Sequence, residues 1–439
     1  MKTFGKYILV FTILIVFGAC KNRSQPPALS TADITKVLNA MTDIMIHDVT
    51  NPPLAARFYS YALLSGYQVI AQNDPQYAEM LSKINGYPKI DKPDSVNESS
   101  TSLSAILAML ETAKRMQPTG KDLEIFKQAF LDSCAKAGFD DEVINASDRY
   151  AQKISLAILK YAKADKYNRI SNFIRYTPLG TENTWTPTPP GNFAAVEPYF
   201  NTVRSFTLDT CTQFKPKPAA VFSRDKTSLF YKMMLETAAE EGENIPAEHK
   251  VIASFWDCNP FALQDNGHMM FGLKKISPGA HWLGITGIAC KQSKIDFSEA
   301  LKIHSVVAMG LMDGFISCWD EKYRSNRIRP ETAIRLLKDP NWKPLLQTPP
   351  FPEYPSGHST ISATSASILT HFFGDNFKYS DTVEERFGLP ARSFTSFKAA
   401  AAEAAISRLY GGIHYRDGVE NGMEQGFEVG DWVIKKLDN

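Results

Sequence analysis

Three short stretches decide how this chain is read: Lys322-Tyr323-Arg324-Ser325-Asn326-Arg327-Ile328-Arg329-Pro330, Pro355-Ser356-Gly357-His358, and Ser407-Arg408-Leu409-Tyr410-Gly411-Gly412-Ile413-His414. Their residue types share one chemistry. Lys and Arg supply cationic donors, and the planar guanidinium fork suits phosphate-like oxyanions. Ser356 adds a hydroxyl, and Gly357 lets an anion approach a backbone N–H without a side chain in the way. Ser359, Ile361, Ala363 and Ile368 place a helix directly after, so that its free N–H groups and dipole would face the same ligand. His358 and His414 can serve as ligand, nucleophile or proton carrier near neutral pH. The set describes a pocket for a tetrahedral or trigonal-bipyramidal oxyanion.

Working outward, the rest of the chain reads as helix. Ser30-Thr31-Ala32-Asp33 caps a run in which Ile34, Val37, Leu38, Met41 and Ile44 recur at helical spacing. Amphipathic patterns follow at 53–73, 101–116, 121–138 and 141–165, then at 226–243, 246–257, 295–319, 357–374, 394–410 and 419–436. Leu301 to Trp319 is very apolar, but Lys302, His304 and Asp313 mark it as a buried core helix rather than a membrane span. Between Thr177 and Pro198 the pattern breaks at Thr186-Pro187-Thr188-Pro189-Pro190-Gly191, because proline lacks the helical donor and disfavours helix before it. Trp185 within this loop is expected to pack back on the body. There is no internal repeat and no long alternating strand pattern.

In this order the three stretches fill every fixed position of the signature KxxxxxxRP, PSGH and SRxxxxxH. The chain therefore resembles the superfamily that joins type 2 phosphatidic acid phosphatases, bacterial acid phosphatases and vanadium haloperoxidases. The motifs span 322–414, and looser similarity to bacterial haloperoxidase-like members runs from the Trp185 loop to the C-terminus. The resemblance implies an all-α helical bundle with the site in its core. It assigns Lys322, Arg329 and Arg408 to the equatorial oxygens of a bound vanadate or phosphate, with Ser356 and the Gly357 N–H bonded to it. His414 would be the apical group, bonded to vanadium in a peroxidase or forming phosphohistidine in a phosphatase. His358 would be the general acid and base.

Trp319 and Phe351 lie where fungal vanadium chloroperoxidases, which this chain resembles at both places, carry aromatics near the halide. Phe255-Trp256-Asp257 resembles a chloroperoxidase segment whose aspartate orients the acid–base histidine, which makes Asp257 a partner for His358. Asp417, three residues after His414, is a candidate to hold the His414 imidazole from the same helical face. The expected function is a vanadate-dependent haloperoxidase acting on hydrogen peroxide and halide. The alternative is an acid phosphatase acting on a phosphomonoester. A second alternative, from a different class, is a non-catalytic envelope binding lipoprotein; buried charges kept without an anion would be expensive and weigh against it. His47, His249, His268, His281, His304 and His371 match no fixed position, and His281 in Pro278-Gly279-Ala280-His281-Trp282 is the best outsider.

The remaining expectations concern compartment and partners. Met1 to Lys6 carries two lysines, Ile8 to Phe17 is apolar save Thr12, and Gly18-Ala19-Cys20 closes the run. That order reads as a secretory signal, and Val16-Phe17-Gly18-Ala19-Cys20 resembles a bacterial lipobox, implying lipid on Cys20. The expected organisation is a signal peptide at 1–19, a lipidated linker at 20–30, an N-terminal helical region at 31–176, the Pro-rich loop at 177–198 and a catalytic domain at 199–439. Contact with the membrane would be by lipid anchor only, at the bacterial cell envelope. Of six cysteines, none forms a CxxC pair that would outline a zinc or thioredoxin-like site. With 48 basic against 47 acidic side chains in 439 residues, 44% hydrophobic, there is no basic footprint for nucleic acid. Oligomeric state leaves no mark in the sequence.

Overall fold

The computed structural model describes residues 29–438 except 94–97, 243–244, 262, 266–268 and 272–275, so the expected signal peptide at 1–19, Cys20 and His268 lie outside the described residues. The N-terminal half holds α1 (Thr31–His47), α2 (Pro52–Asn73), the short α3 (Ala78–Ser82), α4 (Thr101–Met116), α5 (Leu123–Lys136) and α6 (Asp141–Lys163). After a long irregular stretch come α7 (Leu229–Ala238), α8 (Ala247–Phe255), α9 (Pro278–Gln292), α10 (Phe297–Ser325), α11 (Pro330–Leu337), α12 (Gly357–Phe373), α13 (Phe397–Tyr410) and α14 (Arg416–Leu437). Two small antiparallel pairs complete the described elements: β1 (Leu263–Asp265) with β2 (Met269–Phe271), and β3 (Tyr379–Asp381) with β4 (Arg392–Phe394). The fold is all-α, as expected.

Local chemistry sets the helix starts. Ser30 and Asp33 form a capping box at α1, with Ser30 N donating to Asp33 Oδ2 at 2.8 Å. Asn51 caps α2 through Leu54 N at 3.0 Å, ahead of Pro52 at the first helical position. Asp296 caps α10, which stops where Asn326 enters the left-handed region at φ 48°.

α10 is the spine. Among the described residues it is the one helix long and apolar enough to cross a membrane, and 94% of that apolar window is buried inside the protein. It packs against α2, α9, α12 and α14, so one continuous apolar core runs from Ile34 on α1 to Leu437 on α14. Two helices that sequence periodicity did not reveal, α9 and α11, begin at Ser277-Pro278 and Arg329-Pro330.

The Pro-rich loop is laid over the end of α10. Trp185 is fully buried, and its N–H donates to Asn326 O at 2.9 Å. Val196 O accepts from Trp319 Nε1 at 3.2 Å and from the Tyr323 hydroxyl at 2.6 Å.

α14 approaches α12 through Gly418, Gly422, Gly426 and Gly430, four residues apart on one face. A Cβ at Gly422 would stand 2.9 Å from Ser356 O, and one at Gly430 2.8 Å from Thr364 O; at Gly426 it would collide with Thr360 O. The two backbones are thus in direct contact, and Ser356 N donates to Gly418 O at 2.8 Å. This contact fixes where α12 begins, and therefore where Ser356 and Gly357 stand.

Candidate active site

Four elements deliver the motif residues to one buried cavity. Lys322 comes from the last turns of α10, Arg329 from the residue before α11, Ser356 to His358 from the start of α12, and Arg408 to His414 from the end of α13 and the turn behind it. Lys322, Arg329, Ser356, Arg408 and His414 are all buried. Trp319, Phe351, Gly357, His358, Arg408 and His414 line the cavity together with Cys258.

The three cations are held mostly by the main chain. Lys322 Nζ donates to Pro352 O at 3.1 Å, Glu353 O at 3.0 Å and Pro355 O at 2.5 Å. Arg329 Nε donates to Phe351 O and Nη1 to Ile413 O, both at 2.8 Å, while Nη1 also reaches His414 Nε2 at 3.2 Å. Arg408 Nη1 donates to Trp256 O at 2.7 Å. Burial pushes Lys322 down to about 7 and Arg329 down to about 10.

Several buried polar atoms are left over. Arg329 Nη2, Arg408 Nε and His358 Nε2 are buried without a hydrogen-bond partner. Orphaned buried polar atoms are costly; Arg408 and His358 line this cavity, and Arg329 stands beside its wall, with Nη1 3.2 Å from His414 Nε2. Ser356 Oγ caps α12 by accepting from Ser359 N at 3.3 Å, keeping its own proton to donate. At Gly357 a Cβ would press on the Trp319 ring at 3.3 Å and Lys322 Cε at 3.8 Å, so only glycine leaves the helix N-terminus open. The residues fit an oxyanion: unpaired donors, a bare backbone and the positive end of a helix dipole.

His414 is oriented by a residue that sequence reading missed. Its Nδ1 donates to Glu353 Oε1 at 2.8 Å, which fixes the tautomer and leaves Nε2 as the lone-pair nitrogen. Burial, followed by the charges of Arg329, Lys322 and Arg408, holds His414 well below the ordinary histidine range, so it is neutral. Glu353 is itself buried and stands 3.4 Å from Arg327 Nε. Arg327 lies inside the first motif stretch and Glu353 two residues before the second, where a lone carboxylate amid Pro349-Pro350-Phe351-Pro352-Glu353-Tyr354-Pro355 was the available signal.

Asp417 does not hold His414. It accepts from Arg327 Nη1 at 2.8 Å and from Ala220 N at 2.9 Å. The helical-face argument failed because His414 lies in the turn before α14, which starts at Arg416. Asp257 supplies its negative charge to Arg408. His358 is lowered well below the ordinary range, by burial first. Trp319 and Phe351 meet at a 52° tilt with 5.0 Å between ring centroids, and Lys322 Nζ lies 5.5 Å from the first and 5.1 Å from the second.

Comparison with known proteins agrees with this geometry. Residues 302–439 match the family model of the second helical-bundle domain of vanadium chloroperoxidase. A crystal structure described as the first bacterial vanadium-dependent iodoperoxidase is 38% identical with a TM-score of 0.88, covering 94% of this chain and 98% of that one. A holo-type bacterial vanadium-dependent chloroperoxidase is similar in fold, with a TM-score of 0.69 at 14% identity over 94% of this chain and 98% of that one. No curated protein sequence matches the chain.

Proposed function

The chain belongs to the vanadium-dependent haloperoxidases, and on that premise we propose that its buried pocket binds vanadate and oxidises a halide with hydrogen peroxide. The observation that carries this reading is the set of orphaned polar atoms, Arg408 Nε and His358 Nε2 on the cavity's lining and Arg329 Nη2 beside His414. Lys322, Arg329, Arg408, Ser356 and the Gly357 N–H would hold the anion's oxygens, and His414 Nε2 its apical position. Vanadate, when bound, supplies the Lewis-acidic centre at which peroxide is activated.

The protein's own contribution is charge, orientation and proton movement. Glu353 keeps the His414 proton on Nδ1, so Nε2 faces the pocket as a base. His358 is neutral at physiological pH, so its free Nε2 can take a proton from hydrogen peroxide and return it to the departing oxygen. Arg329 brings positive charge into a water-poor site, where it counts most, and Lys322, pushed down to about 7 by burial, adds its charge at and below neutral pH. Trp319, Phe351 and the surrounding prolines form an apolar wall on which a large, weakly hydrated halide is at little disadvantage. With the 38% identical iodoperoxidase, this supports iodide as the preferred halide.

The same donors would accept phosphate, so one experiment runs both assays. Purified protein is given orthovanadate, peroxide and iodide or bromide, with triiodide formation or bromination of a phenolic dye followed, and p-nitrophenyl phosphate in parallel. Halide oxidation that depends on vanadate is expected. Hydrolysis of the phosphate ester, inhibited by vanadate, with no halide oxidation would overturn the reading.

We also propose export and lipid attachment at Cys20, supported by the basic, apolar and small-residue order of residues 1–20. Metabolic labelling with a fatty acid tests it: label that persists in Cys20→Ala would exclude this anchor.

A further inference from the structure

A second cluster of ligating side chains lies behind the wall of the pocket. His281 on α9 is fully buried, with Nε2 2.7 Å from Asp381 Oδ2 at the end of β3. Its Nδ1 faces Cys258 Sγ at 4.0 Å and Glu384 Oε1 at 3.2 Å. Among the described residues, Cys258, His281 and Glu384 place a sulfur, a ring nitrogen and a carboxylate oxygen within 4.8 Å of one another, all from buried residues.

Two details favour a cation at the centre. Asp381 accepts from Nε2, so Nδ1 is the ring nitrogen that faces the gap between Cys258 and Glu384, the carboxylate–histidine–metal order seen behind metal ligands. Glu384 is buried, and neither of its oxygens has a hydrogen-bond partner; the 3.2 Å approach of Nδ1 is off the line of a hydrogen bond. Bond lengths to zinc put tetrahedral ligand atoms about 3.3–3.8 Å apart. The observed 3.2 Å and 4.0 Å separations bracket that spacing.

We propose that Cys258, His281 and Glu384 bind one divalent transition-metal cation of the zinc class, with Asp381 orienting the histidine. Despite its burial, Asp381 and Glu384 hold His281 well above the ordinary histidine range, so binding releases two protons to solvent, one from the Cys258 thiol and one from His281 Nδ1, leaving a thiolate, a neutral imidazole and a carboxylate on the ion. At least one coordination position remains for water. The absence of a CxxC pair does not oppose this, because the ligands come from three separate segments. Such an ion would tie the Trp256–Cys258 segment to α9 and to the turn after β3. Trp256 O receives Arg408 Nη1, so the clip would stabilise the arginine's seat.

The purified protein is loaded with Zn2+ or Co2+, desalted, and read by elemental mass spectrometry and near-ultraviolet absorption, with vanadium counted in the same run. The expected result is one retained equivalent and a thiolate-to-cobalt charge-transfer band. Cys258→Ser should abolish the band and Cys290→Ser should keep it. Asp381→Asn should weaken zinc affinity about 10–100-fold. Wild-type protein that retains no zinc and shows no cobalt band would overturn the site without needing any variant to fold, and independently of whether vanadate binds.

Discussion

Buried charge is handled in opposite ways at the two ends of the molecule. In the N-terminal half, Arg57 Nε meets the fully buried Asp165 Oδ2 at 2.7 Å, and Tyr61 and the Tyr167 N–H add to the same carboxylate at 3.0 Å and 2.9 Å. Lys127 likewise sits between Glu111 at 2.7 Å and Asp148 at 2.6 Å. These charges are neutralised by the fold itself. In the C-terminal half, Lys322 and Arg329 donate to main-chain carbonyls, and neighbouring N–H groups stay unused. There Lys322 and Arg329 are met by carbonyl dipoles rather than carboxylates, an arrangement suited to an anionic ligand. A buried charge therefore indicates function when its countercharge is absent, since a paired one is already accounted for.

The largest test of this contrast is chemical. His358→Ala should lower halide-oxidation kcat by about 10²–10⁴-fold, with anion binding by calorimetry retained. A loss under tenfold would remove His358 from proton transfer.

The next test is of stability, and here the two regions should respond with different signs. Arg57→Met leaves Asp165 buried and unpaired, and should cost about 3–5 kcal/mol in denaturant unfolding. Lys322→Met removes an ammonium that is hydrogen-bonded to main-chain carbonyls and disfavoured by burial, and in anion-free protein should be neutral or stabilising. Equal destabilisation by both would erase the distinction.

A smaller effect follows on adding the ligand. Vanadate at a hundred times its Kd should stabilise the protein by about 2.7 kcal/mol. Arg329→Met should lose that thermal shift, while Lys127→Met should keep it.

The finest test is pH. Lys322 titrates near 7 when buried against 10.5 for an ordinary lysine, so its charged form is disfavoured by folding. The resulting penalty is complete below pH 7 and vanishes as pH rises to 10.5. A bound anion instead needs the charged form. Anion affinity through this group should fall as pH rises above about 7, by at most tenfold per unit. Calorimetry at several pH values checks this, and Lys322→Met should flatten the dependence.

Much of this was legible in the sequence, for identifiable reasons. α4 was read at its true bounds of 101–116 because its Ser100 cap and its closing Lys114 and Arg115 are local features. α10 was expected to stop at 319 but runs to Ser325, and α9 was missed, because a helix buried all round has no amphipathic period to read. The start of α9 was nonetheless written in Ser277-Pro278. The oxyanion donors were legible since their motifs are short and contiguous. Glu353 was not, because it reaches His414 from 61 residues away and only the fold brings them together.

The glycine face of α14 has a consequence for how this site can change. Where two backbones touch, there are no rotamers to repack, so exchanging core side chains nearby does not move the start of α12. The anion cradle is in that sense insulated from drift in its surroundings. The opposite wall, Trp319 and Phe351, is made of side chains alone. Selectivity among halides can therefore be altered there, by selection or by design, while the chemistry of the cradle stays fixed.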